Sequence, residues 1–240
     1  MSEAAAVPEL SVVIPAYNEA TRLPPSVEKV LEYLRSSGRS YELIVVDDGS
    51  RDATVEKVEA MNRAGAGIRL VRHPVNLGKG AAVRTGVLAS TGELVLFTDA
   101  DLSTPIEELE KLQAALDGGA GVAIASRSIK GSRVEISQPF YRVLMGKTFN
   151  LMVQALLLPG IWDTQCGFKL FRADVARAVF AGLTTDRFGY DPEVLHRAKK
   201  QGVGIAEVPV VWRNSAPTKV STFRSSLEMF KDVIRIRFKG

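Results

Sequence analysis

Only one cysteine, Cys166, and two histidines, His73 and His196, occur in the 240 residues. A lone cysteine forms no internal disulfide and no cysteine-rich zinc cluster, which fits a reducing compartment. Two histidines cannot build a His-rich metal centre. No uninterrupted apolar run of the roughly 18–20 residues that a bilayer-spanning helix needs is present. Met1–Leu10 lacks a basic stretch followed by a long apolar one, so no signal peptide is expected. Neither sign of charge predominates: the net charge is +4. That is compatible with anionic substrates or a membrane surface and too weak to argue for nucleic acid. Low-complexity tracts and internal repeats are lacking, as is a Gly-x-Ser-x-Gly nucleophile elbow. Gly78-Lys79-Gly80 fails as a phosphate loop, because His73 stands where the first glycine belongs and Gly80 follows the lysine instead of Ser or Thr. The dinucleotide fingerprint also fails, for want of a third glycine.

What remains is globular, with 46% hydrophobic and 24% charged residues, enough for a sizeable core. Short β-rich runs alternate with helical patterns. Strands are expected at Leu10–Pro15, Tyr41–Val46, Ile68–Arg72, Glu93–Thr98 and Gly121–Ala125. Between them lie a helix opened by Pro24 and Pro25 and closed by Gly38, one capped by Asp52 and running to about Ala64, one over Ala81–Ser90, and one opened by Thr104-Pro105 with Glu107 and Glu108 in its first turn. Such alternation implies βαβ units and a parallel sheet.

The second half differs. Lys130–Ser137 is polar and reads as a mobile connection. Phe140–Leu158 is a long apolar helix, either packed in the core or lying in a membrane interface beside Arg142 and Lys147. Gln165–Phe171 reads as a strand, Ala173–Phe180 as a helix, and Phe188–Glu193 leads into another ending near Gly202. Ile205–Trp212 reads as one strand and Phe223–Phe238 as a basic amphipathic helix. A single domain over residues 1–240 is expected, with a donor and metal half at 10–130, an acceptor half at 131–221 and the terminal helix at 222–240.

Polar residues collect after the strands: Tyr17 and Glu19, Asp47 and Asp48, Asp99 and Asp101, Ser126 and Arg127. Open α/β sheets bind ligands at the carboxyl ends of their strands, so these loops point at one crevice. Asp99-Ala100-Asp101 at a strand end suits a hard divalent cation whose remaining ligands come from a diphosphate. Taken alone, Asp-x-Asp is equally a solvated turn.

Val12-Val-Ile-Pro-Ala-Tyr-Asn-Glu19, Val46-Asp-Asp-Gly-Ser50 and Asp99-Ala-Asp101, in that order, resemble the inverting glycosyltransferases of family 2, which have the GT-A fold. Within it the chain is similar to the polyprenyl-phosphate sugar synthases, and Asp163-Thr-Gln-Cys-Gly-Phe-Lys-Leu-Phe171 is closest to the glucosyltransferase branch. The resemblance spans about Leu10 to Ser221. It implies a Rossmann-like, mostly parallel sheet with helices on both faces. It implies inverting transfer of glucose from UDP-glucose to a polyprenyl (dolichyl) phosphate, with GDP-mannose as the alternative donor, a sugar hydroxyl as an alternative acceptor, and a nucleotide-binding module without catalysis as the reading from another class. The enzyme would dock peripherally on the cytoplasmic face of a membrane.

The same resemblance implies the site. Asp99 and Asp101 would hold Mg²⁺ or Mn²⁺, with Ser103 where the mannose synthases keep a glutamine ligand. Pro15, Tyr17, Glu19, Val46, Asp48, Lys79 and Ala100 would bind the donor, and Arg213 and Lys219 would clamp its diphosphate. Arg127, Arg142 and Lys169 would hold the acceptor phosphate. Asp191 stands where hydroxyl-using relatives keep a catalytic base. A lipid phosphate, already mostly dianionic at neutral pH with a second pKa of about 6, needs little such help. Here Asp191 is expected to orient a substrate.

Overall fold

The computed structural model describes residues 6–136, 140–214 and 222–239. The first half follows the expected alternation: β1 (Leu10–Ala16), α1 (Leu23–Ser36), β2 (Tyr41–Asp47), α2 (Thr54–Arg63), β3 (Ile68–Arg72), α3 (Lys79–Ala89) and β4 (Leu94–Thr98). Then come a 3₁₀ turn over Ile106–Glu108, α4 (Leu109–Asp117) and β5 (Val122–Ser126). The second half adds β6 (Arg133–Ile136), α5 (Phe140–Leu156), β7 (Phe168–Arg172), α6 (Ala173–Ala181), α7 (Tyr190–Lys200), β8 (Ile205–Pro209), β9 (Val211–Arg213) and α8 (Thr222–Lys239).

Seven strands form one sheet in the order β3-β2-β1-β4-β7-β5-β8. Its neighbours pair in parallel except around β7, which runs antiparallel to both β4 and β5. The sheet is buried on both faces, as expected where crossover helices cover it. Leu10, Val12 and Ile14 pack toward α1, α2 and α4, whereas Val13 packs toward the layer containing α3, α5, α6, α7 and α8. α3 lies close because Gly86 has no side chain; a Cβ there would press on Val13 and Val46.

Several expectations need correction; besides the shifted start of β7 at Phe168 and of α4 at Leu109, four stand out. Lys130–Ser137 is not a plain loop: Arg133–Ile136 is a strand, paired in parallel with β9 in a separate two-stranded sheet. The expected single strand over Ile205–Trp212 is divided at Val210, so that β8 extends the main sheet and β9 leaves it for β6. Asp52 lies two residues before the first residue of α2; its Oδ1 accepts the Thr54 N–H, at 3.0 Å, and thereby holds the entry turn. The helix expected at Ala81 begins at Lys79. In α5 Phe149 and Val153 are buried, as packing in the core requires, while Leu144 and Leu151 are exposed. No helix among the described residues is long and apolar enough to cross a membrane.

Candidate active site

The carboxyl ends of β1, β2 and β4 open on a cavity of about 560 Å³. Pro15, Tyr17, Glu19, Asp48, Lys79, Asp99, Ala100 and Asp101 all line it, with Arg187 and Phe188 facing them from the loop before α7. Tyr17 is an exposed aromatic, placed where a flat ring can stack on its face. Because β7 runs against β4, its entry brings Gly167 beside Asp99, whose N–H donates to the Gly167 carbonyl at 3.0 Å. A Cβ on Gly167 would collide with the Asp99 carboxylate.

Asp99 and Asp101 flank a tight turn in which the Leu102 N–H donates to the Asp99 carbonyl at 3.0 Å. Leu102 adopts φ +47°, a strained backbone of the kind found at functional sites. Each carboxylate faces a basic side chain: Lys79 Nζ lies 2.5 Å from Asp99 Oδ1, and Arg22 NH1 lies 3.8 Å from Asp101 Oδ2. Burial raises the Asp99 pKa; Lys79 opposes that and Asp101 adds to it. Among the described residues no group of three His, Cys, Asp or Glu side chains is arranged to hold a metal ion by itself. A cation here would take two carboxylates from the protein and its other oxygens from diphosphate and water, a donor set that fits Mg²⁺ or Mn²⁺. Ser103 contributes its backbone: the N–H donates to Asp101 Oδ1 at 3.1 Å, and the carbonyl accepts from the Arg213 N–H at 2.8 Å.

Several expected donor contacts are already occupied within the protein. The Glu19 carboxylate is gripped by the Arg22 fork, Nε at 2.7 Å from Oε2 and NH2 on Oε1. Asp48 organises the β3–α3 loop instead of reaching for a base or ribose: Oδ1 meets His73 Nδ1 and the Leu77 N–H, and Oδ2 meets Asn76 Nδ2 and the Gly78 N–H. With about four acceptor positions on a carboxylate, little is left for a ligand. Val46 is fully buried in β2 and does not line the cavity.

The expected acceptor residues are tied in as well. Arg127 binds Asp163 bidentately, Nε at 2.7 Å and NH2 at 2.8 Å, leaving NH1 for any phosphate. Burial pushes the Asp163 carboxyl up, but Arg127 overrides it and the net shift is downward. Lys169 is 1% exposed. Its Nζ donates to the Cys166 carbonyl at 2.7 Å and to Asp191 Oδ1 at 2.5 Å, so it reaches no phosphate in this arrangement. Arg213 is exposed and paired with Glu135, Nε to Oε2 at 2.6 Å. The Arg142 side chain and Lys219 lie outside the described residues. Burial pushes the Cys166 thiol up to about 11, which makes it a poor nucleophile.

The family model described as "Glycosyl transferase family 2" matches residues 11–180, which include every motif at the mouth of this cavity. The chain belongs to glycosyl transferase family 2. This family 2 chain is 37% identical to a dolichyl-phosphate beta-glucosyltransferase of Dictyostelium discoideum, over 96% of the chain and 74% of the relative. It is 36% identical to the Homo sapiens protein of that name, over 96% and 75%. Among solved structures it resembles glucosyl-3-phosphoglycerate synthase of Mycobacterium tuberculosis, crystallised with Mn²⁺, UDP and glucosyl-3-phosphoglycerate. The TM-score is 0.71 at 20% identity, covering 96% of this chain and 80% of that one. This likeness shows the GT-A fold.

Sequence reasoning missed the residues that hold the transferase's site together. Asp163 anchors Arg127, and Glu193 fixes the far wall by accepting the Thr184 and Thr185 N–H groups, each at 2.9 Å. Arg22 follows Glu19 by three residues at a helix entrance, a spacing at which the two side chains can pair. Arg187 and Phe188 carried no signal beyond their place before Asp191.

Proposed function

We propose that this chain transfers glucose from UDP-glucose to dolichyl phosphate, giving a β-linked glucosyl lipid phosphate and UDP. The observation that carries the reading is the cavity itself: an aromatic face at Tyr17, two carboxylates at Asp99 and Asp101, and basic groups at Lys79 and Arg22 between and beside them. An aromatic face suits a nucleobase, and the carboxylates with their basic neighbours suit a diphosphate and its cation. The names of the relatives that match over most of the chain supply glucose and the dolichyl acceptor.

In the proposed reaction an oxygen of the lipid phosphate attacks the anomeric carbon in line, and the bond to UDP breaks. A single displacement turns an α-linked donor into a β-linked product. A divalent cation bound at Asp99 and Asp101 would offset the charge that develops on the leaving diphosphate. Lys79 adds a further positive charge at that end. Arg213 and Lys219 are proposed to close over the diphosphate, and Arg127 NH1 and Arg142 to hold the acceptor phosphate. Asp191, locked onto Lys169, is a positioning group; Asp191→Asn should lower kcat by less than the roughly 10⁴-fold upper range for losing a general base.

The acceptor is a membrane lipid, and we place the transferase peripherally on the cytoplasmic face. The exposed Leu144 and Leu151 of α5, with Phe230, Ile234 and Phe238 of α8, are the apolar side chains offered to the interface. The deciding experiment incubates the protein with labelled UDP-glucose or GDP-mannose and polyprenyl phosphate, with and without EDTA. Label should enter the lipid phase from UDP-glucose only, and EDTA should abolish transfer. No transfer, or transfer from GDP-mannose alone, overturns the assignment.

A further inference from the structure

Arg22 is mounted rigidly at the cavity wall. Its backbone N–H donates to the Glu19 carbonyl at 3.1 Å, and Pro24 and Pro25 follow in the first turn of α1. Two of its three guanidinium nitrogens are taken by Glu19. The third, NH1, is buried, makes no hydrogen bond within the described residues, and stands 3.8 Å from Asp101 Oδ2. A buried guanidinium N–H without an acceptor is costly, and this one lies on the wall of the donor cavity.

We propose that Arg22 is a donor-binding residue, aimed by Glu19, whose NH1 donates to an oxygen of the nucleotide diphosphate. The inference rests on the donor reading above. The placement argues for diphosphate over base or ribose, because NH1 is beside the carboxylate that would share a cation with it. Charge argues the same way: a guanidinium bonds an anionic oxygen more strongly than a neutral sugar hydroxyl. Arg22 and Lys79 then flank the diphosphate from the Asp101 and Asp99 sides. The task expected of Glu19, contact with the nucleotide, passes to the arginine it holds.

Arg22 also places a positive charge next to a proposed cation ligand. Removing that charge should therefore act in opposite directions on two ligands, which loss of structure would not do. The test measures binding to wild type and Arg22→Gln: UDP with Mn²⁺ by calorimetry, Mn²⁺ alone by electron paramagnetic resonance, and uridine by saturation-transfer NMR. Arg22→Gln should weaken UDP about 10- to 100-fold, the range for losing a hydrogen bond to a charged group. Uridine should bind within about twofold of wild type, and Mn²⁺ alone at least as tightly. Unchanged UDP affinity overturns the inference, and so does parallel weakening of UDP, uridine and Mn²⁺. Should Arg22→Gln fail to fold, Arg22→Lys decides: a loss of about three- to tenfold for UDP with uridine unchanged supports the inference, and no loss overturns it. If wild type itself binds no UDP in the presence of Mn²⁺, the donor reading fails first, and that result is separate from any effect of Arg22.

Discussion

At the scale of single residues, the site depends on groups set behind the side chains that line it. Gly167 is one. Its missing side chain is the space the Asp99 carboxylate occupies. Gly167→Ala should therefore displace Asp99 and lower kcat/KM by about 100-fold, the scale of a 1 Å misplacement. The check is steady-state kinetics beside a melting curve. Asp163 is another. Its side chain is fully buried against Arg127. Asp163→Asn leaves a guanidinium without its counter-charge and should destabilise the fold by about 3–5 kcal/mol, measured by urea denaturation. A loss below about 1 kcal/mol would mean that solvent reaches Arg127 and replaces the pair.

At the scale of elements, much of the first half was legible because buried parallel strands are written as short apolar runs ended by polar loops. β3 was read to the residue, and the ends of β1, β2 and β4, just before Tyr17, Asp48 and Asp99, to within one residue. Strand direction was not legible: Phe168–Arg172 is equally apolar whichever way it runs, and only its neighbours make β7 antiparallel. The division between β8 and β9 was hidden because Val210 continues the apolar pattern while the chain changes sheets. Within the site, spacing located Glu19 and Asp48 and could not show that Arg22 and the Leu77-Gly78 backbone already hold them. The two-faced α5 makes its own prediction. Leu144→Glu with Leu151→Glu should cut co-sedimentation with anionic vesicles at least tenfold while stability moves by about 0.5 kcal/mol or less, since both positions are exposed. Unchanged vesicle binding would remove α5 from the membrane contact.

At the scale of the whole molecule, pH should act through the buried carboxylates. In Asp163 and Glu193 burial acts to raise the pKa, but Arg127 in one case, and Thr185, Thr184 and Arg197 in the other, bring it below the ordinary carboxylate values of 3.8 and 4.5. A group whose pKa is lower in the folded chain stabilises above its unfolded value and loses that contribution as the pH falls through its folded one. As these two groups protonate, stability should decline below about pH 4.5, with Asp99, whose pKa burial raises, acting in the opposite direction. The melting temperature should drop by roughly 5–10 °C between pH 5 and pH 3, with a shallower decline in Asp163→Asn. Scanning calorimetry across that range checks both.

The antiparallel β7 has a consequence in time as well as in space. It fills the slot between β4 and β5, yet both of those strands precede it in the chain. A ribosome would release the Asp99-Ala100-Asp101 turn well before the strand that braces it. Until Phe168–Arg172 emerges, the nascent sheet has a gap at its centre and two unpaired edges, a state open to mispairing. Residues 10–130 alone would therefore lack the strand that braces the Asp99 turn, and should not keep that turn in shape when cut from the rest of the chain.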